Sequence, residues 1–267
     1  MTKVTKANYY SQKINMEYMS STQLKSLVGS AGRPACEEHA LKVLKGEWKD
    51  EPSNDMLVGS YVDAYFSGEM QSFLQQNEGK ILTKQGKPYA HFNKANEMIE
   101  RATKDKLFME FMGGEPQKIF TAELFGTKWK CKLDSYHKGK CIVDLKCVSD
   151  IYQTFWIKDF GQVNFIEYWG YITQLAIYQK IVELNTGEKL PCYICAIDKT
   201  PSPAIEIIQI PNDRMAMELS LVEYDVKHAL ALKSGEIAPT RCGKCAYCKD
   251  TKIITTPIML DELTGRI

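Results

Sequence analysis

The sequence predicts an α/β fold: a central mixed sheet flanked by helices on both faces. Three observations predict it. The stretch Glu123–Lys146 alternates apolar and polar residues, turns at His137-Lys138-Gly139-Lys140 and returns as Cys141-Ile142-Val143-Asp144-Leu145-Lys146, the pattern of a β-hairpin. Two later, mostly apolar runs, Leu190–Ile197 and Ala204–Ile210, read as strands joined by a Lys-Thr-Pro-Ser-Pro turn. Helical segments precede, separate and follow these strands, and helices interleaved with strands in this order build a layered α/β core.

Taken in order, a polar arm (residues 1–18) leads into a short helix at Met19–Leu27 capped by Ser20 or Ser21. A Gly/Ser/Pro turn over residues 29–34 separates it from a second helix, 35–44, with Cys36 in its first turn. An apolar helix covers 55–66, then a lysine-rich connector and one longer helix, about 91–111, reach Gly113-Gly114. Beyond the hairpin, residues 150–165 read as an aromatic-rich loop or broken helix, and a strong helix runs from Glu167 towards Leu184. A helix over 213–233 follows the two later strands and stops at Ser234-Gly235. The expected division is an arm (1–18), one catalytic-sized domain (19–250) and a tail (251–267).

With 267 residues, 44% of them hydrophobic and 25% charged, the chain can build one sizeable core and is neither a disordered tail nor a fibre. A net charge of +1 excludes a uniformly basic nucleic-acid coat but leaves room for a local basic channel. Lys118, Lys128, Lys130, Lys132, Lys138, Lys140 and Lys146 gather around the hairpin, which suits a polyanion or simply a solvated strand face. The opening residues lack the apolar segment of a signal peptide and no run reaches the length of a membrane span, so no membrane association and a cytoplasmic protein are expected. Nine cysteines, an odd number, fit a reducing compartment. Cys192 and Cys195, three apart on a strand, point to opposite faces and read as buried thiols.

The hairpin carries the candidate chemistry. Asp134, Asp144 and Lys146 offer two carboxylates and an amine on paired strands, a divalent-metal site with a cationic partner. The tripeptide [Asp/Glu]-x-Lys alone is weak, since the chain holds five, and an exposed ion pair explains it as well. Only Asp144-Leu145-Lys146 closes an apolar strand and follows another strand-borne Asp across a turn. Asp63, among Val62, Ala64, Tyr65 and Phe66, is paired, metal-bound or on a polar stripe. Gln174 and Tyr178, four apart, share a helix face, and Gln174 needs a polar partner there. Cys242, Cys245 and Cys248 recur at three-residue spacing; with Cys36 as a fourth ligand they suit a four-iron cluster or a structural zinc, and unligated thiols remain the third reading.

These pieces, in order, resemble the PD-(D/E)XK nuclease superfamily, and within it the phage-type RecE-like exodeoxyribonuclease VIII proteins. The ordered set is Ser-Ser-Thr-Gln-Leu then Pro-Ala-Cys36, Gly59-x3-Asp63, Glu123, Asp134, Asp144-Leu145-Lys146 and Gln174-x3-Tyr178, spanning about residues 20–248. The resemblance implies a restriction-endonuclease-like core and a Mg²⁺- or Mn²⁺-dependent exonuclease degrading double-stranded DNA from its ends, 5′ to 3′. Asp134, Asp144 and the Leu145 carbonyl would hold metal, Lys146 would serve the attacking water or the phosphate, Glu123 would assist, and Gln174 with Tyr178 would position DNA or brace the site. Relatives usually carry His where Asp63 stands; Asp still suits a hard ion. The cysteines resemble those of iron–sulfur variants, although the late spacing is tighter. A RecT-like annealing partner, a ring-shaped homo-oligomer and a role in recombination in a bacterial or phage-infected cell complete the implied picture. An endonuclease, a single-strand nuclease or a non-cutting DNA-binding module are the alternatives.

Overall fold

In the computed structural model, which describes residues 2–31, 33–83 and 85–263, a five-stranded mixed sheet separates two hydrophobic cores. Gly32 of the expected turn and residues 264–267 of the expected tail lie outside the described residues. The first half supplies helices α1 (Gln12–Glu17), α2 (Ser21–Val28), α3 (Glu37–Leu44), α4 (Asn54–Phe66), α5 (Met70–Gln76), α6 (Ala90–Thr103) and α7 (Lys106–Met112). Strands β1 (Glu115–Leu124), β2 (Thr127–His137) and β3 (Cys141–Val148) follow, then a small hairpin, β4 (Thr154–Ile157) and β5 (Gly161–Asn164). Helices α8 (Phe165–Tyr168) and α9 (Tyr171–Thr186) lead to β6 (Cys192–Asp198), β7 (Ile205–Ile210), α10 (Asn212–Ser234) and α11 (Ala246–Asp250).

The sheet order is β1-β2-β3-β6-β7, with β3 and β6 parallel and every other pair antiparallel. A parallel pair needs a crossover, and β4–β5, α8 and α9 provide it. Strand alternation assigns the two faces. On β3, Ile142 joins α2, α9 and α10 in one core, while Val143 and Leu145 join α4, α6 and α7 in the other. Asp144 and Lys146 share the parity of Ile142 and therefore face α9. On β6 the same rule sends Cys192 to the first core and Cys195 to the second, both fully buried as free thiols.

Several expected boundaries shift, each for a local reason. Residues 123–136 are not one strand: β1 ends at Leu124, and Phe125 (φ 52°) with Gly126 (φ 74°) makes a two-residue turn into β2. Two successive left-handed residues characterise the type I′ hairpin, which Asn-Gly or Asp-Gly normally announces. The 91–111 helix is two helices, because the Asp105 carboxylate caps α7 by accepting from the Phe108 N–H at 2.9 Å. The aromatic stretch 150–165 is the β4–β5 hairpin, with Phe155 stacked on Tyr168 at 4.0 Å between ring centroids. The helix expected from Glu167 starts at Phe165, through an Asn164–Glu167 capping box, and breaks at Gly170. There φ is +63° and a Cβ would stand 3.2 Å from Lys25 Cδ. Cys36 is the N-cap of α3 rather than part of its first turn.

Candidate active site

The site lies where β2 and β3 part company. Their ladder runs only from His137–Cys141 to Ser135–Val143, after which the strands splay. Chain from the N-terminal region fills the gap on β2: the Met19 N–H donates to the Lys128 carbonyl at 2.7 Å and the Lys130 N–H to the Met19 carbonyl at 2.9 Å. On β3 the freed Leu145 N–H donates to Asp134 Oδ2 at 2.8 Å. A residue's N–H and C=O leave a strand on the same side, so the Leu145 carbonyl also projects into the fork. The fork opens into a cleft of about 270 Å³ that includes Asp63, Asp134, Asp144, Lys146, Gln174 and Tyr178.

Asp144, nearly fully buried, is gripped from two sides. Lys146 forms an ion pair with its Oδ2, and Gln174 Nε2 donates to its Oδ1 at 2.7 Å. The i, i+4 spacing on α9 sets Tyr178 Oη 3.3 Å from the same Nε2. Lys25 of α2 braces Gln174 from behind: its Nζ donates to the carbonyls of Trp169 (3.3 Å) and Gly170 (3.4 Å) and to Gln174 Oε1 (3.5 Å). Burial, with Lys146 close by, pulls Lys25 down to about 8. Burial also works against Lys146, but Asp144 and Asp134 outweigh it and hold the ammonium above the usual lysine range. Asp134 is pushed well above the usual carboxylate range by burial, then by Asp144 and Asp63. Asp63 is likewise raised, by burial first and then by Asp144, with Lys132 opposing. The cleft is thus an acid-rich pocket whose carboxylates repel one another.

Three features of the cleft are not assigned to the site by the sequence. Gln117 lies on β1 between the pairs Pro116–Ser135 and Lys118–Leu133, directly across from Asp134. Its φ of 54° is rare for a residue with a side chain, and strain of this kind clusters at functional sites. The side chain is 2% exposed; its Nε2 donates to Asp63 Oδ1 at 3.3 Å and its Oε1 has no hydrogen-bond partner. Second, β2 presents Lys130 and Lys132 on the strand face of Asp134. Lys130 is buried against the Tyr9 carbonyl and Asn15 Oδ1 (2.6 Å), and burial pulls it down to about 8. Third, Tyr9 and Tyr10 of the N-terminal arm reach the cleft, with Lys132 Nζ 4.9 Å from the Tyr10 ring centroid. An unpartnered buried amide oxygen leaves no mark in a single sequence; the β2 lysines were visible only as part of a larger group.

Glu123 is not brought to the site. It stands at the far end of the β1–β2 hairpin, opposite Lys128, in a separate depression with Glu17. The extra turn at Phe125-Gly126 is the reason, because it carries Glu123 back along β1 away from Asp134. The lysines of the hairpin also fail to form one field. Lys118 pairs with Glu115 and Lys128 with Glu17, Lys138 and Lys140 sit in the β2–β3 turn, and of the seven Lys130, Lys132 and Lys146 line the cleft.

Cys36, Cys242, Cys245 and Cys248 converge as the spacing predicts, all four sulfurs within 4.8 Å of one another. They are the one group of three or more potential ligands that close to such spacing among the described residues; the cleft carboxylates stand more loosely. Backbone N–H groups of Lys244 (3.4 Å) and Cys245 (3.3 Å) donate to Cys242 Sγ and pull its thiol down to about 6. Tyr247 and Cys248 are buried beside Cys36, with Trp48 packed against them. Cys242 and Cys245 also line a cavity of about 620 Å³ shared with Lys25, Arg33, Trp169 and Tyr171, where the Arg33 guanidinium lies 4.4 Å from the Trp169 ring centroid.

Comparison with known proteins places this arrangement. A family model described as a PDDEXK-like domain of unknown function (DUF3799) matches residues 20–251. A crystal structure named "putative exonuclease", from Eubacterium rectale, is 43% identical with both chains covered in full and superposes with a TM-score of 0.96. A second solved structure, SSO0001, shares 13% identity over 83% of this chain and 95% of that one, and its TM-score of 0.34 supports no argument. No curated protein matches the chain. The five-stranded mixed sheet with helices on both faces is that of a restriction-endonuclease-like core, and the chain belongs to the PDDEXK-like family.

Proposed function

We propose that this protein is a divalent-metal-dependent deoxyribonuclease that degrades double-stranded DNA from its ends. The observation that carries the reading is the convergence of Asp134, Asp144, Lys146, Gln174 and Tyr178 in one cleft at the fork of β2 and β3. The neighbour's name as an exonuclease supports action at ends, and the RecE-like resemblance supports 5′-to-3′ polarity, a RecT-like partner, a ring-shaped assembly and a recombination setting.

The donor set fits a hard divalent ion. Asp63, Asp134, Asp144, the Leu145 carbonyl and the unpartnered Gln117 Oε1 are all oxygens, the ligands Mg²⁺ and Mn²⁺ select. When bound, the ion would acidify a water and offset charge on the phosphate. Lys146, held cationic by the two aspartates, contributes a fixed positive charge at the reacting phosphate. Gln174 keeps Asp144 in place, and Tyr178 and Lys25 keep Gln174 in place. Lys132 and the exposed Tyr10 ring at the cleft mouth offer a charge and a stacking face to an incoming strand.

The test is digestion of end-labelled linear duplex beside nicked and closed circular DNA, with and without Mg²⁺. Release of nucleotides from the linear form alone, and only with metal, is expected. Cleavage of closed circles would replace this reading with an endonuclease, and no cleavage with either Mg²⁺ or Mn²⁺ would sink it. Gln117 gives a second check. Because supporting ligand groups typically govern metal affinity by 10–100-fold, Gln117→Ala is expected to raise the Mg²⁺ concentration for half-maximal rate by roughly that factor. An unchanged metal dependence would remove Gln117 from the site.

A further inference from the structure

The cysteine group does not fit the four-iron cluster that the resemblance implies, and we infer that it is a closed site for a single tetrahedral zinc ion. In a four-iron cluster each thiolate binds its own iron at a different corner of the cube, so the sulfurs stand well apart. A single zinc bound by four thiolates at about 2.3 Å sets those sulfurs about 3.8 Å apart. Here Cys36 and Cys248 are 3.5 Å apart, Cys242 and Cys248 4.0 Å, and no pair exceeds 4.8 Å. Four sulfurs at that spacing surround one ion and leave no room for a cube of irons.

The surroundings match the same ion. Backbone N–H groups point at three of the sulfurs: Cys242 to Cys36 (3.5 Å), Lys244 and Cys245 to Cys242, and Cys248 to Cys245 (3.5 Å). Such donors stabilise thiolates, which are the metal-binding form. Cys36 and Cys248 are buried, and Tyr247 closes the site further, packed edge-on against Trp48 at 5.3 Å. With four protein ligands the shell has no open position, the arrangement of structural rather than catalytic zinc.

Its role is to tie α3 to the segment after α10. The peptide links around it run the same way: the Glu38 N–H donates to the Thr240 carbonyl, Glu37 accepts from Thr240 N–H and Oγ1, and Arg241 pairs with Glu38. The zinc also holds Cys242 and Cys245 as one wall of the cavity that contains Lys25, Arg33, Trp169 and Tyr171. This assignment does not depend on the nuclease reading, because metal content is measured without substrate.

Elemental and sulfide analysis of the full-length protein, purified anaerobically without chelators, tests it. One zinc per chain, no iron and no acid-labile sulfide are expected. Replacement by Co²⁺ should give the intense visible bands of a tetrahedral tetrathiolate ion. Iron with stoichiometric sulfide and a brown colour would overturn the assignment, as would a metal-free chain that binds no added zinc. Cys245→Ser should lose the zinc and melt at a lower temperature, while Cys192→Ser, in the sheet core, should keep it. Zinc retained at full stoichiometry and affinity in Cys245→Ser would also overturn it. If Cys245→Ser does not fold, the wild-type stoichiometry and the cobalt spectrum decide.

Discussion

Replacing Asp144 by Asn is expected to lower turnover of linear duplex DNA by on the order of 10³-fold or more, the scale on which charged groups acting in the transition state are felt. Asn keeps the shape and an oxygen for Gln174 Nε2, so the hydrogen bond to α9 survives. It removes the negative charge that would face metal and that holds Lys146 cationic. A stability cost accompanies this loss, because Lys146 is only 15% exposed and breaking a buried pair from one side costs about 3–5 kcal/mol. The double variant Asp144→Asn/Lys146→Met separates the two effects. Removing both charges should recover much of the melting temperature and none of the activity. If the double variant regained activity along with stability, the pair would be structural and the catalytic assignment would fall.

Trp129→Ala carries the largest expected loss of stability. The indole is fully buried at the centre of the first core, and its Nε1 donates to the Leu124 carbonyl at 2.9 Å across the β1–β2 turn. Its backbone pairs with Met19, which fills the gap beside β2. A large aromatic truncated in a core costs about 3–5 kcal/mol, which for a chain of this size is roughly 5–9 °C in melting temperature. Trp129→Phe keeps the six-membered ring but loses the pyrrole edge and its hydrogen bond, so a smaller cost of about 1–3 kcal/mol is expected. Calorimetry of both variants checks this, and a Trp129→Ala midpoint within a degree or two of the parent would show that the turn and core do not depend on the indole.

The parts of the site legible in the sequence are those fixed by short-range periodicity. Asp144 and Lys146 share a face because strand side chains alternate, Gln174 and Tyr178 share one because helix neighbours recur at four, and the cysteine triplet is set by its own spacing. Asp63 was visible as a carboxylate among apolar neighbours, and the structure gives it Gln117 as a partner. What was not legible depends on pairing between distant segments. Phe125-Gly126 carries no standard hairpin signature, so the strand expected from Glu123 runs straight through the turn, and most of β1 goes unread. The splay of β2 from β3 leaves an edge of β2 whose hydrogen bonds are taken by Met19, more than a hundred residues upstream. Gln117 carries no signal in the sequence, and only the folded structure shows its Oε1 buried and unpartnered.

The cysteine site also sets the order in which the molecule can be finished. Cys36 meets Cys242 and Cys248 across 206 and 212 residues of chain. Ribosomes add about 5–20 residues per second, so Cys36 is made roughly 10–40 s before its first partner. Closing a loop of that length costs about 5 kcal/mol of chain entropy, against roughly 10–16 kcal/mol for ligation of a structural zinc. The sheet and α9 can assemble in the meantime, but α2, whose Lys25 braces Gln174, also packs against α10, which is made after every strand of the sheet. The helix that carries the brace therefore gains its full packing only after α10 has been made.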